Sequence, residues 1–187
     1  MIYKNDVLDY AEKNPYQGNA NTRCFVAGTP VYSKDGFVNI ELFKVNDTLS
    51  SYNITTGTVE LMKVSHTSNR ATTNVYQVIT SLDTFIVTAE HPFFVEGKNW
   101  TEVKDLEIGD ELKSLLDTKI SVIKIEKLEA EKVVYNIEVN GNHNFYVGQG
   151  KVLVHNKTRN QKHISTEDLN KKILIPKEHL DETENKK

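Results

Sequence analysis

The sequence predicts an all-β fold made of two related lobes, and three observations predict it. Between Cys24 and Asn156, short alternating apolar runs are punctuated by turn signals at Lys34-Asp35-Gly36, Asn53 to Gly57, Leu82-Asp83, Glu96-Gly97-Lys98, Asn140-Gly141 and Gly148-Gln149-Gly150. Helix-period segments are nearly absent from the same stretch. The third observation is an internal duplication. Ala27, Pro30, Val31 and Tyr32 are echoed 62 positions on by Ala89, Pro92, Phe93 and Phe94, and Ile40, Phe43, Val45, Asp47 and Leu49 are echoed 63 positions on by Val103, Leu106, Ile108, Asp110 and Leu112. Val75-Tyr76 is matched by Val134-Tyr135. Two copies at so long a period predict a pseudo-symmetric pair of lobes rather than a solenoid.

In chain order, residues 1–23 read as a leader, with a short helical segment over Asp6 to Lys13 followed by the turn-rich stretch Asn14 to Asn21. The domain proper spans residues 24–156. Within it Val75, Tyr76 and Val78 face Phe85, Ile86 and Val87 across one hairpin, and Ile120, Val122, Ile123 and Ile125 with Val133, Val134, Ile137 and Val139 predict a longer ribbon. Residues 157–187 form a polar, lysine-rich extension, with a helix start at Ser165 to Leu169 and a single apolar patch from Ile173 to Pro176. Such a segment cannot build a core of its own.

The 187 residues suffice for one domain with extensions and a real core, without a metal, a disulfide or a cofactor. With 23 basic and 26 acidic side chains mixed along the chain, the net charge of -3 offers no footprint for nucleic acid. Cys24 is the only cysteine, which excludes an internal disulfide, a cysteine zinc site and a CxxC redox pair. No apolar run approaches the roughly 20 residues of a membrane span, and the first residues carry no signal-peptide core. The chain by itself is expected in the cytoplasm, as a monomer without a membrane or polynucleotide partner.

The candidate chemistry sits at the domain's edges. Cys24 opens it in the string Cys24-Phe25-Val26-Ala27-Gly28-Thr29-Pro30, where a thiol can act as a nucleophile. Taken alone, such a residue reads as a buried small hydrophobe. Thr88-Ala89-Glu90-His91-Pro92 ends a strand, so that a hydroxyl and an imidazole of near-neutral pKa converge on one turn. Taken alone, His91 reads as a surface histidine. His143 follows the Asn140-Gly141 turn, and His155-Asn156 closes the last strand, Val152 to Val154. An asparagine can cyclise onto its own carbonyl and cut the chain after itself. Holding the amide in attack geometry removes about 7 to 11 kcal/mol of barrier, and an oxyanion donor about 2.7 to 4 more.

Together these strings resemble the Hint (hedgehog/intein) family, and most of all its bacterial intein-like and polymorphic-toxin pretoxin members. The resemblance runs from Cys24 to Asn156. It is carried by Cys24 to Thr29, by the Thr-x-x-His string Thr88 to His91, and by three terminal strings: Val134-Tyr135-Asn136-Ile137-Glu138-Val139, His143-Asn144-Phe145-Tyr146-Val147 and Val152-Leu153-Val154-His155-Asn156. It implies a horseshoe-shaped, pseudo-two-fold β fold whose substrates are its own flanking segments. Cys24 would shift the Arg23-Cys24 bond to a thioester, with Thr88 and His91 holding that bond. Asn156 would cyclise with help from His143 and His155, freeing the segment that begins at Lys157 and so releasing a C-terminal effector of a secreted parent.

Two positions depart from a splicing intein. Lys157 stands where splicing needs Cys, Ser or Thr, and Asn136 stands where many inteins have an aspartate that couples the two cuts. Cleavage is therefore expected over ligation. The competing readings are a splicing-competent intein, a non-catalytic β connector, and a toxin tail using His163 and His179.

Overall fold

In the computed structural model, residues 23–116 and 118–156 are described. The helical segments expected at Asp6 to Lys13 and Ser165 to Leu169 lie outside the described residues. The described residues begin with β1 (Phe25–Val26), the hairpin β2 (Pro30–Ser33) and β3 (Gly36–Asn39), a 3-10 turn at Ile40–Leu42, then β4 (Thr48–Asn53) and the long β5 (Thr58–Thr72). A hairpin of β6 (Val75–Thr80) and β7 (Thr84–Thr88) follows. Next come the hairpin β8 (Pro92–Val95) and β9 (Asn99–Glu102), a 3-10 turn at Val103–Asp105, β10 (Glu111–Leu112) and β11 (Ile120–Leu128). Last are β12 (Lys132–Val139), β13 (Asn144–Val147) and β14 (Val152–His155).

The fold is all-β, and the duplication is visible bond by bond. Ile40 N–H donates to the Thr29 carbonyl at 2.9 Å, and Val103 N–H donates to the His91 carbonyl at 3.1 Å. Lys44 N–H donates to Asp47 Oδ2 at 2.8 Å, and Glu107 N–H donates to Asp110 Oδ2 at 2.9 Å. Asn46 and Gly109, one residue before each aspartate, both take a left-handed φ, 77° and 95°. Each lobe thus spends an aspartate on closing the same turn, which is why Asp47 and Asp110 recur while their neighbours vary.

The two long strands join the lobes. β5 pairs with β4 through Lys63 and with β12 from Val64 onward, while β11 pairs with β10 at Ile120 and Ser121 and with β6 from Val122. The ladder runs β10-β11-β6-β7-β1-β12-β5-β4-β2-β13-β14-β8 and closes through a β10–β8 pairing. Closure leaves few free edges, which blunts the tendency of a long sheet to pair with other chains.

The ribbon expected between β11 and β12 does not form. β11 instead pairs with β6 and β12 with β5, and Ile123 and Val133 are left more than half exposed, at 53% and 52%. Alternation identifies a strand and its inward face but not its partner. Here the two adjacent strands serve opposite lobes.

At the centre, Phe25, Phe85 and Phe93 pack with ring centroids 5.6 to 6.1 Å apart, and the aliphatic faces of both lobes close over them. Asp83, in the β6–β7 turn, ties this hairpin to the β13–β14 turn by accepting from Gln149 N–H and Gly150 N–H, each at 2.8 Å. A Cβ at Gly148 would stand 2.7 Å from the same carboxylate, so the approach requires glycine there. Removing the carboxylate strands the buried Gly150 N–H and leaves the exposed Gln149 N–H to water. Asp83→Ala is therefore expected to lower stability by about 2 to 3 kcal/mol in urea unfolding, whereas a loss under about 0.5 would show that water replaces it fully.

Candidate functional site

β1 is only two residues long, yet it sits between β7 and β12, with Phe25 opposite both Val87 and Tyr135. That position carries Cys24, directly before it, into the interior, where it is 2% exposed and packs with Val75 and Val134. Thr88, the last residue of β7, grips the Cys24 backbone from two sides. Cys24 N–H donates to Thr88 Oγ1 at 2.9 Å, and the Cys24 carbonyl accepts from Thr88 N–H at 3.0 Å and from the Thr88 hydroxyl at 3.3 Å. The nitrogen so held belongs to the Arg23-Cys24 peptide bond.

A tight turn follows Thr88, with His91 N–H donating to the Thr88 carbonyl at 3.1 Å. It swings the His91 ring inward against Phe25, centroids 4.3 Å apart, with Phe93 and Phe145 edge-on at 6.2 and 6.5 Å. The ring is 1% exposed, and neither of its nitrogens makes a well-formed hydrogen bond within the described residues. Burial, and after it the Arg23 charge, hold the imidazolium well below its ordinary pKa, although the Arg23 main chain facing the ring pulls the other way. The expectation of a near-neutral pKa is corrected accordingly. His91 is a neutral imidazole at pH 7, because an aromatic cage cannot solvate its charge.

That has a measurable consequence. The unfolded chain takes a proton on this ring near pH 6.5 and the folded chain refuses it, so stability contributed by the neutral ring is full above that pH and is lost as pH falls below it. The loss approaches about 1.4 kcal/mol per pH unit until the folded pKa is reached. Urea midpoints between pH 7.5 and 5.5 should fall more steeply in the wild type than in His91→Gln. Equal slopes would place the acid sensitivity elsewhere.

Two further groups flank the bond. Arg23 is fully buried, and burial pushes its guanidinium down to about 10, still charged at neutral pH. Burial also pushes the Cys24 thiol up to about 11, so the nucleophile rests protonated.

The other edge of the domain is organised by β13 and β14, paired from Asn144↔His155 to Val147↔Val152. Asn156 N–H extends this ladder by donating to the His143 carbonyl at 2.7 Å. His143 adopts a left-handed φ of 53°, a conformation open to histidine at some cost, and its ring lies 6.5 Å from that of His155. The bend is pinned from the next residue. The buried Asn144 amide accepts from Ser51 Oγ and Tyr52 N–H and donates to the carbonyls of Tyr52 and Asn142. Asn156 is fully buried, its Nδ2 donating to the Ile137 carbonyl at 2.7 Å while its Oδ1 makes no hydrogen bond among the described residues. An acceptor opposite Nδ2 fixes which end of the amide faces β12.

β12 is therefore where the two edges meet. Its Tyr135 pairs with the residue after Cys24, its Ile137 holds the Asn156 side chain, and Asn136, 2% exposed, lies between them. Of the sequence-predicted set, Cys24, Thr88 and His91 with Arg23 gather on one flank, and His143, His155 and Asn156 on the other. Lys157 lies outside the described residues.

Two neighbours of the site escaped the sequence reading. Trp100 on β9 packs against His155, with ring centroids 4.9 Å apart and planes tilted by 59°. The duplication held the signal for it, since the cross-strand pair Phe94–Trp100 repeats Tyr32–Phe37. Arg70 on β5 reaches the Cys24 thiol, and no local string announces it.

Residues 30–157 match the family described as the Pretoxin HINT domain. Among solved structures, a bacterial intein-like domain from Clostridium thermocellum is 32% identical, with a TM-score of 0.66, covering 72% of this chain and 99% of that one. A DnaB intein from Synechocystis, 21% identical, has the same fold, with a TM-score of 0.64 over 72% of this chain and 99% of its own. No curated protein matches the chain.

Proposed function

The chain belongs to the pretoxin Hint domain family, whose members share an autoprocessing, intein-type fold, and from that membership we propose that residues 24–156 cut the chain at both of their own ends. The observation that carries this reading is the convergence on β12, which sets the Cys24 and Asn156 edges on the two sides of Asn136.

At the first edge, Cys24 Sγ attacks the Arg23 carbonyl carbon. The C–N bond to Cys24 breaks, the thiol proton ends on the freed amine, and the step is an isomerisation from amide to thioester. Thr88 holds the departing nitrogen throughout. His91, neutral in its cage, is suited to accept the proton in flight and return it to the amine. Water or an added thiol then releases residues 1–23.

At the second edge, Asn156 Nδ2 attacks its own carbonyl carbon, the bond to Lys157 breaks, and the new amine takes up the proton that Nδ2 loses. The product is a C-terminal succinimide. His143 and His155 flank this bond as proton carriers and oxyanion donors. Lys157 carries neither hydroxyl nor thiol to accept an acyl group, so the flanks are separated and not joined. Asn136 can hydrogen-bond but cannot act as a base, which leaves the two cuts loosely coupled. In a secreted toxin-type parent, the second cut would release the downstream effector.

The test is the intact mass of the full chain over time at neutral pH, with and without thiol. Thiol-dependent loss of residues 1–23 and thiol-independent loss of residues 157–187 are expected. A chain that stays whole under both conditions would make the domain a connector.

A further inference from the structure

We propose that Arg70 and Glu90 act as opposed charges on the Cys24 thiol, Arg70 as a further catalytic residue that supports its reactive form and Glu90 as a brake. The inference rests on the N-terminal reaction proposed above. Neither residue belongs to the set that the sequence strings single out as reactive.

The geometry comes from the ladder. Arg70 on β5 is in register with Val134 on β12, and Val134 is in register with Val26 on β1. The three lie in one lateral row and so on one face of the sheet. Cys24 precedes Val26 by two residues, so an extended chain puts it on that same face. It packs there against Val134. Two strand spacings, about 10 Å between backbones, separate Arg70 from β1, a gap that arginine crosses with its length and its stem along the apolar row. The guanidinium hydrogen-bonds the Cys24 side chain. Glu90 lies in the turn between β7 and β8, two residues after the Thr88 that holds the Cys24 backbone, and there Asn74 Nδ2 donates to its Oε1 at 2.7 Å and Ala89 N–H donates to the Asn74 carbonyl at 3.3 Å.

The chemistry follows from charge. A thiolate in this apolar pocket is costly, and burial is the largest influence on Cys24. Arg70 opposes it through both charge and hydrogen bond, and Glu90 adds to it through charge. Arginine suits the role because it stays charged when partly buried and its planar fork can aim at sulfur while its remaining donors bind elsewhere. The pair thus sets how often Sγ is competent to attack.

The experiment uses the full chain and follows two readouts against pH in wild type, Arg70→Met, Arg70→Lys and Glu90→Gln, with thermal melts to confirm folding. One readout is thiol-induced release of residues 1–23. The other is uptake of iodoacetamide by the single cysteine, read by intact mass, which requires no cleavage. Arg70→Met is expected to slow both about tenfold at pH 7 and to move the alkaline limb up by about one pH unit, the shift one nearby opposite charge produces. Arg70→Lys should recover most of the rate, and Glu90→Gln should move the limb down. Folded variants with unchanged limbs, or with both charges moving the limb the same way, overturn the inference. Shifted alkylation without any leader release in the wild type would keep the charge pair and reject the N-terminal cut.

Discussion

Asn156→Ala is expected to abolish release of residues 157–187 while leaving thiol-induced release of residues 1–23 in place. The substitution removes the side-chain nitrogen that attacks at the second edge. If holding the amide in attack geometry supplies even about 7 kcal/mol, the variant loses roughly 10⁵-fold in rate, which puts the cut beyond detection. The same change empties a buried position and deprives the Ile137 carbonyl of its donor, so some stability will be lost as well. Asn156→Asp keeps the size of the side chain and removes the attacking nitrogen, but it too leaves the Ile137 carbonyl without a donor, so thermal melts establish that each variant is folded before its rate is read. Intact mass over days checks both variants. Tail release from Asn156→Ala at the wild-type rate would show that the bond is broken by another route.

Cys24→Ala should do the reverse. It removes the sulfur and therefore the thioester, so that added thiol no longer releases the leader, whereas tail release continues. The backbone grip on this residue does not depend on its side chain: the N–H bond to Thr88 Oγ1 and both bonds to the Cys24 carbonyl survive the substitution. The fold should therefore persist, with only the small loss that truncating one buried side chain brings. Continued thiol-dependent release from Cys24→Ala would mean that the thiol acts elsewhere.

Much of this architecture could be read from residues in order. Among the described residues each turn signal falls at the junction of two strands, because glycine, asparagine and aspartate report local backbone demands that tertiary context rarely overrides. The duplication was legible for a related reason. Asp47 and Asp110 close equivalent turns, and Tyr32 with Phe37 and Phe94 with Trp100 form equivalent cross-strand pairs, so the recurring residues are those with a fixed structural task. Strand partnership was not legible. β11 and β12 alternate as a hairpin would, but β5 and β6 offer each of them a partner from the other half of the chain.

The site divides along the same line. Cys24, Thr88, His91, His143, His155 and Asn156 stand out because they sit in short strings at strand ends. What surrounds them does not. The aromatic cage that neutralises His91 is assembled from Phe25, Phe93 and Phe145, and the cation at Cys24 comes from a strand 46 positions further along the sequence. Charge states are set by such long-range neighbours, which is why a histidine read as near neutral in pKa proves to be held well below that value.

The central claim, that Asn156 cuts the chain by cyclising, is tested most directly by the mass balance of the two products. Cyclisation takes up no water, so the fragment ending at residue 156 and the fragment starting at Lys157 should have masses that add up to the intact chain, with the first fragment later gaining one water as its succinimide opens. Fragments whose masses exceed the intact chain by one water from the earliest time points, in wild type and Asn156→Asp alike, would mean simple hydrolysis and would contradict the account.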